Sequence, residues 1–304
     1  MTEQLKLKLN DSKATRWGAL VIVAFTMMAA YYVNDVVAPL KTMLETDLAW
    51  SSTDFGFFTG GYSFLNVFFL MLIWGGLILD RFGIRFTGKL ATILMVGGTA
   101  LEYYAMTGLA GADATLFGIN EIFGYKTGVF VAFAGYSIFG VGAEVAGITV
   151  SKIIAKWFKG KELATAMGVQ VALARIGSQA GYAVAIPLAR AFGISTPVLL
   201  GLVLLLGGMI AFFIFAVMDK KLDKQMEAAA IAAGTEDEEE KFSFKDVKNI
   251  LVNPGFWLIA LLCVLFYSCV FPFQKFASEL MIIKYGINEN VACLLYTSDA
   301  ADEL

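Results

Sequence analysis

Residues 127–152 read TGVFVAFAGYSIFGVGAEVAGITVSK. Between Lys126 and Lys152 one charged side chain, Glu144, interrupts a run of apolar and small residues. At about 1.5 Å per residue, such a run makes a helix that crosses a hydrocarbon core of roughly 30 Å. A segment in lipid must satisfy its own backbone hydrogen bonds, which a helix does. A β-barrel would instead show short alternating strands.

The same texture recurs along the chain. Apolar runs at about 17–39, 55–79, 86–108, 162–191, 194–218 and 255–282 bring the expected spans to seven. Of the 304 residues, 58% are hydrophobic and 16% charged, against about 25% charged in soluble domains. The mean hydropathy is +0.71. These values exclude soluble, disordered and disulfide-scaffold classes. Histidine is absent, which removes histidine triads, histidine proton relays and histidine-zinc sites. A net charge of −3 argues against a nucleic-acid partner. Cys263, Cys269 and Cys293 fit no metal motif and read as small packing residues. No catalytic set, metal or cofactor is predicted, and the chain is not read as an enzyme.

Lysine and arginine set an orientation. With the N-terminus inside, 17 of them fall in the tail and in the loops after spans 2, 4 and 6. Only Lys41, Lys126 and Arg190 fall on the other side. The N-terminus is therefore expected in the cytoplasm. Residues 1–16 are a polar tail rather than a cleaved signal, and 17–218 form six spans. Residues 219–253 form an inter-bundle loop with the acidic run Glu236–Glu240 and an amphipathic stretch around Phe244, Val247, Ile250 and Leu251. Residues 254–292 carry span 7. Residues Cys293–Glu303 resemble a translated transposase sequencing adapter, so 293–304 is read as a non-native tail and the natural chain is expected to continue past Ala292.

The turn between spans 2 and 3 is Gly76-Leu-Ile-Leu-Asp80-Arg81-Phe-Gly83-Ile-Arg85. Gly76 is expected to admit a neighbouring helix. Asp80 is expected to meet a helix N-terminus and an arginine. Together these would form a latch that breaks and reforms as two bundles rock. A generic charged turn is the plainer alternative. Glu144 on span 4 and Arg175 on span 5 both fall within about 6 Å of the midplane at helical rise. Buried charges cost roughly 2.5–3.5 kcal/mol each on the lenient insertion scale, so each should face a wet cavity or its opposite. Either they fasten spans 4 and 5 as an ion pair, or Arg175 grips a carboxylate and Glu144 an ammonium. Asp35, Tyr62 and Asn66 either line the same cavity or fix packing, Tyr62 and Asn66 sharing a face at i, i+4. Glu102 and Lys275 are expected to snorkel outward. Gly140, Gly142, Gly147, Gly177 and Gly181 suit close helix packing.

The turn is similar to the G-x-x-x-D-R-x-G-R-R signature of the major facilitator superfamily, with Ile84 in place of a basic residue. YYVNDVVAPL, FGVGAEVAGITV, WFKGKELATAMGVQVALARIGS and the VFPF stretch resemble the superfamily's lysosomal dipeptide transporter branch. The resemblance implies an all-α multi-pass membrane protein with the major facilitator fold: an N-terminal six-helix bundle plus the first helix of a truncated C-terminal bundle. It implies that Glu144 and Arg175 contact the two ends of a dipeptide, with Tyr62, Asn66 and Phe273 nearby. It further implies uniport by alternating access, a small-molecule substrate, and an accessory subunit only if the animal-family analogy holds. A secondary active carrier remains open, as does an organic-anion or sugar-acid transporter in which Arg175 acts alone. A non-transporting structural or receptor-like membrane protein is the rival of a different class. The lipid bilayer is the expected surrounding, that of a bacterial plasma membrane rather than a lysosome.

Overall fold

The structure, a computed structural model, describes residues 8–111, 114–233, 251–288 and 291. The acidic run, most of the amphipathic stretch and the adapter-like tail lie outside the described residues. The chain divides into two compact units, Met1–Thr235 and Glu236–Leu304.

The first unit is a helical bundle. Its helices are α1 (Lys13–Val36), α2 (Lys41–Asp47), α3 (Ser52–Phe68), α4 (Met71–Thr107), α5 (Thr127–Trp157), α6 (Leu163–Phe192) and α7 (Thr196–Ala233). A hairpin of β1 (Glu121–Ile122) and β2 (Tyr125–Lys126) precedes α5. The second unit contributes α8 (Pro254–Tyr285), which starts with the Asn253 side chain accepting from Gly255 N–H and ends at Gly286 with φ +64°. Cys263 and Cys269 on α8 are free thiols and exposed.

Spans 1, 4, 5, 6 and 7 each correspond to one helix, whereas spans 2 and 3 together fall on α3 and α4, with α4 carrying the end of span 2 and the whole of span 3. Four helical stretches are long and apolar enough to cross a bilayer, and α3 with α4 makes a fifth if that bent pair counts as one span. Helix α6 falls outside that set. Gln170, Arg175, Ser178 and Gln179 dilute its apolar content, as they would in a helix that borders water.

Span 2 departs from the expected continuous helix. It breaks at Phe69–Leu70, where Leu70 sits at φ 51°, ψ 39°, and the two helices are bent by 58°. The ladder is interrupted there. Phe69 N–H reaches Leu65 O at 3.2 Å, and the N–H groups of Ile73 and Trp74 both turn to Leu70 O at 2.9 and 3.3 Å. A leucine in the left-handed region costs about 1–2 kcal/mol, and no Gly or Pro marks the place. Inside α4, Gly83 (φ 75°, ψ 172°) is the turning point between the two helical parts. Helix α7 continues past 218 to Ala233.

Helix α1 packs along α6 and α7, α5 along α3 and α4, and α4 also meets α7. Between them lies a core with Tyr32, Phe55, Phe58, Tyr136, Phe139, Trp157 and Phe215 fully buried. Close approach depends on glycine. A Cβ on Gly177 would collide with the Met28 carbonyl, one on Gly140 with the Tyr62 carbonyl, and one on Gly142 would lie 2.7 Å from Ala91 O. Gly181 is similarly tight against Tyr32 O at 3.0 Å. Gly147 is not a contact of this kind, since its nearest neighbour is Met27 Cε at 3.9 Å. Gly76 also departs from expectation: a Cβ there meets nothing within 4 Å, whereas one on Gly75 would meet Val145 Cγ2 at 2.6 Å. One residue along a helix is a rotation of about 100°, enough to move the small side away from the neighbour.

Glu102 does not snorkel. It is 0% exposed, on the face of α4 that carries the buried residues Met95, Gly98, Thr99 and Met106. At the basic end, Arg16 pairs with Glu162 at 2.7 Å and Lys161 with Asp11 at 2.7 Å. The hydrogen bond from Lys161 holds the Asp11 carboxyl below the usual aspartate range.

Gly177→Ala is expected to lower the unfolding temperature in detergent, with a loss on the order of 1–3 kcal/mol from overpacking against backbone. Gly147→Ala should leave it unchanged. Equal melting curves for the two variants would contradict the packing described.

Candidate functional site

Helix α5 turns Gly135, Phe139 and Gly142 towards α4, where Gly98 and Ala91 meet them. Glu144 is five residues beyond Phe139 and two beyond Gly142. At about 100° per residue it therefore lies on roughly the opposite side of α5. There it is half-buried. The missing side chain at Gly140 lets α3 approach, and Tyr62 Oη donates to Glu144 Oε1 at 2.8 Å.

Tyr62 is itself held. Asn66 Nδ2 donates to the Tyr62 carbonyl at 3.0 Å, and the Tyr62 ring lies 5.7 Å from Tyr136 and 6.2 Å from Phe139. Tyr136 Oη donates to Asn34 O at 2.8 Å and to Asn34 Oδ1 at 3.0 Å. The Asn34 amide donates to Asp35 Oδ1 at 2.8 Å. A polar path thus runs from buried Asp35 on α1 through Asn34 and Tyr136 on α5, and by ring contact to Tyr62 and Glu144. Four of the expected residues, Asp35, Tyr62, Asn66 and Glu144, are brought together. Asn34 and Tyr136 were not anticipated. The signal for Asn34 lay in its place beside Asp35, but Tyr136 reads as one aromatic among many.

Arg175 is exposed on α6, two residues from Gly177 at the α1 contact. No ion pair joins it to Glu144 among the described residues, so the pair does not fasten spans 4 and 5 as a salt bridge. Phe273 is exposed on α8 in the second unit. Among the described residues no group of three or more His, Cys, Asp or Glu side chains is arranged to hold a metal ion.

The turn residues form a separate cluster at the basic end. Asp80 pairs with Lys152 of α5 at 2.9 Å, not with an arginine, because α5 supplies the nearest cation. Arg81 lies over the Phe82 ring at 5.6 Å. Arg85 reaches Asp219 at 3.5 Å and also Asp223, both on α7. Lys156 bonds the same two aspartates, Asp219 at 2.8 Å, and Trp157 Nε1 donates to Asp219 Oδ1 at 3.0 Å. Asp219 is 0% exposed and is surrounded by two cations and an indole N–H, the partners that a buried carboxylate requires. The i, i+4 spacing of Asp219 and Asp223 was the available signal.

Asp219→Asn should cost about 1–3 kcal/mol of stability, since it leaves two cations and a buried donor poorly matched. Asp223→Asn, at a half-exposed position, should cost less than about 1 kcal/mol. Chemical denaturation in detergent compares the two. The reverse order would refute the clamp around Asp219.

Residues 20–297 match the family described as Major Facilitator Superfamily. Among curated proteins, the chain is similar to the "Lysosomal dipeptide transporter MFSD1" of Pongo abelii, 27% identical over 287 residues, covering 90% of this chain and 55% of that protein. The Homo sapiens protein of the same name is 27% identical over 293 residues, covering 92% and 57%. The Gallus gallus protein of that name is 33% identical over 171 residues, covering 52% and 36%. The chain spans about half the length of the curated relatives it matches. With a family match over most of its length and a bundle of long apolar helices, the chain belongs to the major facilitator superfamily and is a multi-pass membrane protein.

Proposed function

We propose that this chain forms the N-terminal half of a transporter for small zwitterions, dipeptides first among them, working by alternating access. The observation that carries the reading is the separation of two opposite charges. Glu144 is oriented by Tyr62 at 2.8 Å, and Arg175 is exposed on α6, with no salt bridge between them. Charges retained in spans and not used to neutralise one another suit a cargo that brings its own ammonium and carboxylate. Arginine matches a carboxylate because its planar fork bonds both oxygens. The relatives' printed name supports the same cargo class.

Asp35 and Asn66 are part of this proposal as further cavity residues, and Asp80, Arg81, Gly83 and Arg85 as the turn that changes partners when bundles rock. The excess of lysine and arginine supports placing the basic end in the cytoplasm. The loop after α7 is the link to a second bundle, and the bacterial plasma membrane is the proposed location.

The test is uptake of a radiolabelled dipeptide into proteoliposomes by a full-length homologue with these positions. Arg175→Ala should reduce uptake at least tenfold while the protein stays folded and monodisperse. Wild-type uptake by the Arg175→Ala variant would end the site assignment. Absence of dipeptide uptake by the wild type would end the substrate assignment.

A further inference from the structure

Serines and threonines inside these helices return their hydroxyls to their own backbone. Thr59, Ser137, Thr149 and Ser151 each donate to the carbonyl four residues earlier, at 2.7–3.0 Å. This is the ordinary resort of a hydroxyl in an apolar helix. Ser178 on α6 does not take it. The carbonyl four residues back is that of Ala174, yet Ser178 Oγ is enclosed and has no hydrogen-bond partner among the described residues. The residue is 8% exposed, so bulk water does not reach the hydroxyl. Leaving such a group unmatched is costly. Thr99 on α4 shares this state, but Thr92, Met95, Glu102 and Met106 are buried along its face, which is closed along its length.

The face around Ser178 is not closed. At 3.6 residues per turn, Val171, Arg175, Ser178, Tyr182, Ile186 and Ala189 form one stripe along α6. Val171 and Arg175 are exposed, whereas Ser178, Tyr182, Ile186 and Ala189 are buried. The stripe thus changes from open to closed between Arg175 and Ser178. Gly177 and Gly181 carry the contact with α1. Ser178 is turned about 100° from Gly177 but only about 60° from Arg175, and it lies about 4.5 Å further along the axis. It is therefore the i+3 neighbour of the arginine, on the edge of the α1 contact that faces Arg175.

We infer that Ser178 is a second contact for the cargo's carboxylate: its Oγ–H donates to a carboxylate oxygen beside the Arg175 fork. The inference rests on the reading of Arg175 as the carboxylate-binding residue, and it adds the group that completes that pole of the site. A carboxylate offers about four lone-pair sites, and a bidentate arginine uses two of them. A hydroxyl on the remaining sites makes a charge-assisted bond. Because Ser178 Oγ has no bond to give up, the bond to the cargo sacrifices no other.

The test measures binding of alanyl-alanine and of its C-terminal amide to a full-length homologue with these positions, as wild type, Ser178→Ala, Ser178→Cys and Arg175→Ala. Ser178→Ala is expected to weaken binding of the free dipeptide at least fivefold and that of the amide less than twofold, because the amide oxygen carries no full charge. Ser178→Cys, which brings a weak donor of similar size, should behave in the same way. Without dipeptide, the unfolding temperature of Ser178→Ala should stay level or rise, since no bond is lost. Unchanged binding of the free dipeptide, or an equal loss for both ligands, would overturn the inference. A lower unfolding temperature for Ser178→Ala would show that the hydroxyl serves the fold, which overturns it too. Arg175→Ala separates this inference from the reading beneath it. If Arg175→Ala keeps the wild-type preference for the free dipeptide over the amide, the reading of Arg175 falls and this inference with it. If Arg175→Ala abolishes that preference while the Ser178 variants keep it in full, this inference alone falls.

Discussion

The hydrogen bond from Tyr62 to Glu144 depends on an atom that is absent. Gly140 has no side chain, so α3 can rest against α5 closely enough for a tyrosine to reach a carboxylate one turn further along. The same physics runs through the bundle, where helices in lipid gain nothing from hydrophobic exclusion between them and associate by close packing. Gly177 and Gly181 bring α6 against α1, and Gly142 and Gly98 bring α5 against α4. These approaches fix which residues of each helix face away from its partner, and among those are Glu144 and Arg175.

Charge is handled in two different ways at two places. At the basic end, charges are neutralised locally: Asp80 by Lys152, and Asp219 with Asp223 by Arg85 and Lys156. These pairs tie α4, α5 and α7 together. In the middle of the bundle the opposite holds. Glu144 receives a neutral phenolic donor rather than a cation, and Arg175 stays apart from it. A protein that needed these charges only for cohesion would pair them, as it does at the other end. The contrast is between an end held by ion pairs and a middle whose two charges are not paired with each other.

Much of this was legible in sequence, because hydropathy reports directly on the medium. The helices and the pair of stranded charges follow from run lengths and from the cost of ions in hydrocarbon. The features that were not legible depend on rotation or on distant partners. The break at Leu70 has no glycine or proline to announce it. Gly75 rather than Gly76 packs against Val145, a matter of one residue's turn about the axis. Glu102 was read as snorkelling because it lies near a span end, yet it shares a face with Gly98, four residues earlier, and that face meets α5. Asp219 and Asp223 come from a helix more than a hundred residues away from the arginine they hold. Asn34 and Tyr136 join the site through contacts that no local pattern encodes.

The central claim is that two separated charges wait for a cargo with two poles. The most direct measurement compares, in a full-length homologue, binding of one dipeptide with its N-acetylated and C-amidated forms, in wild type and in Glu144→Gln. The account predicts that both blocked forms bind at least tenfold more weakly than the free dipeptide in wild type. In Glu144→Gln the penalty for acetylation should disappear while that for amidation remains. Equal binding of all three forms to the wild type, or an unchanged acetylation penalty in Glu144→Gln, would contradict it.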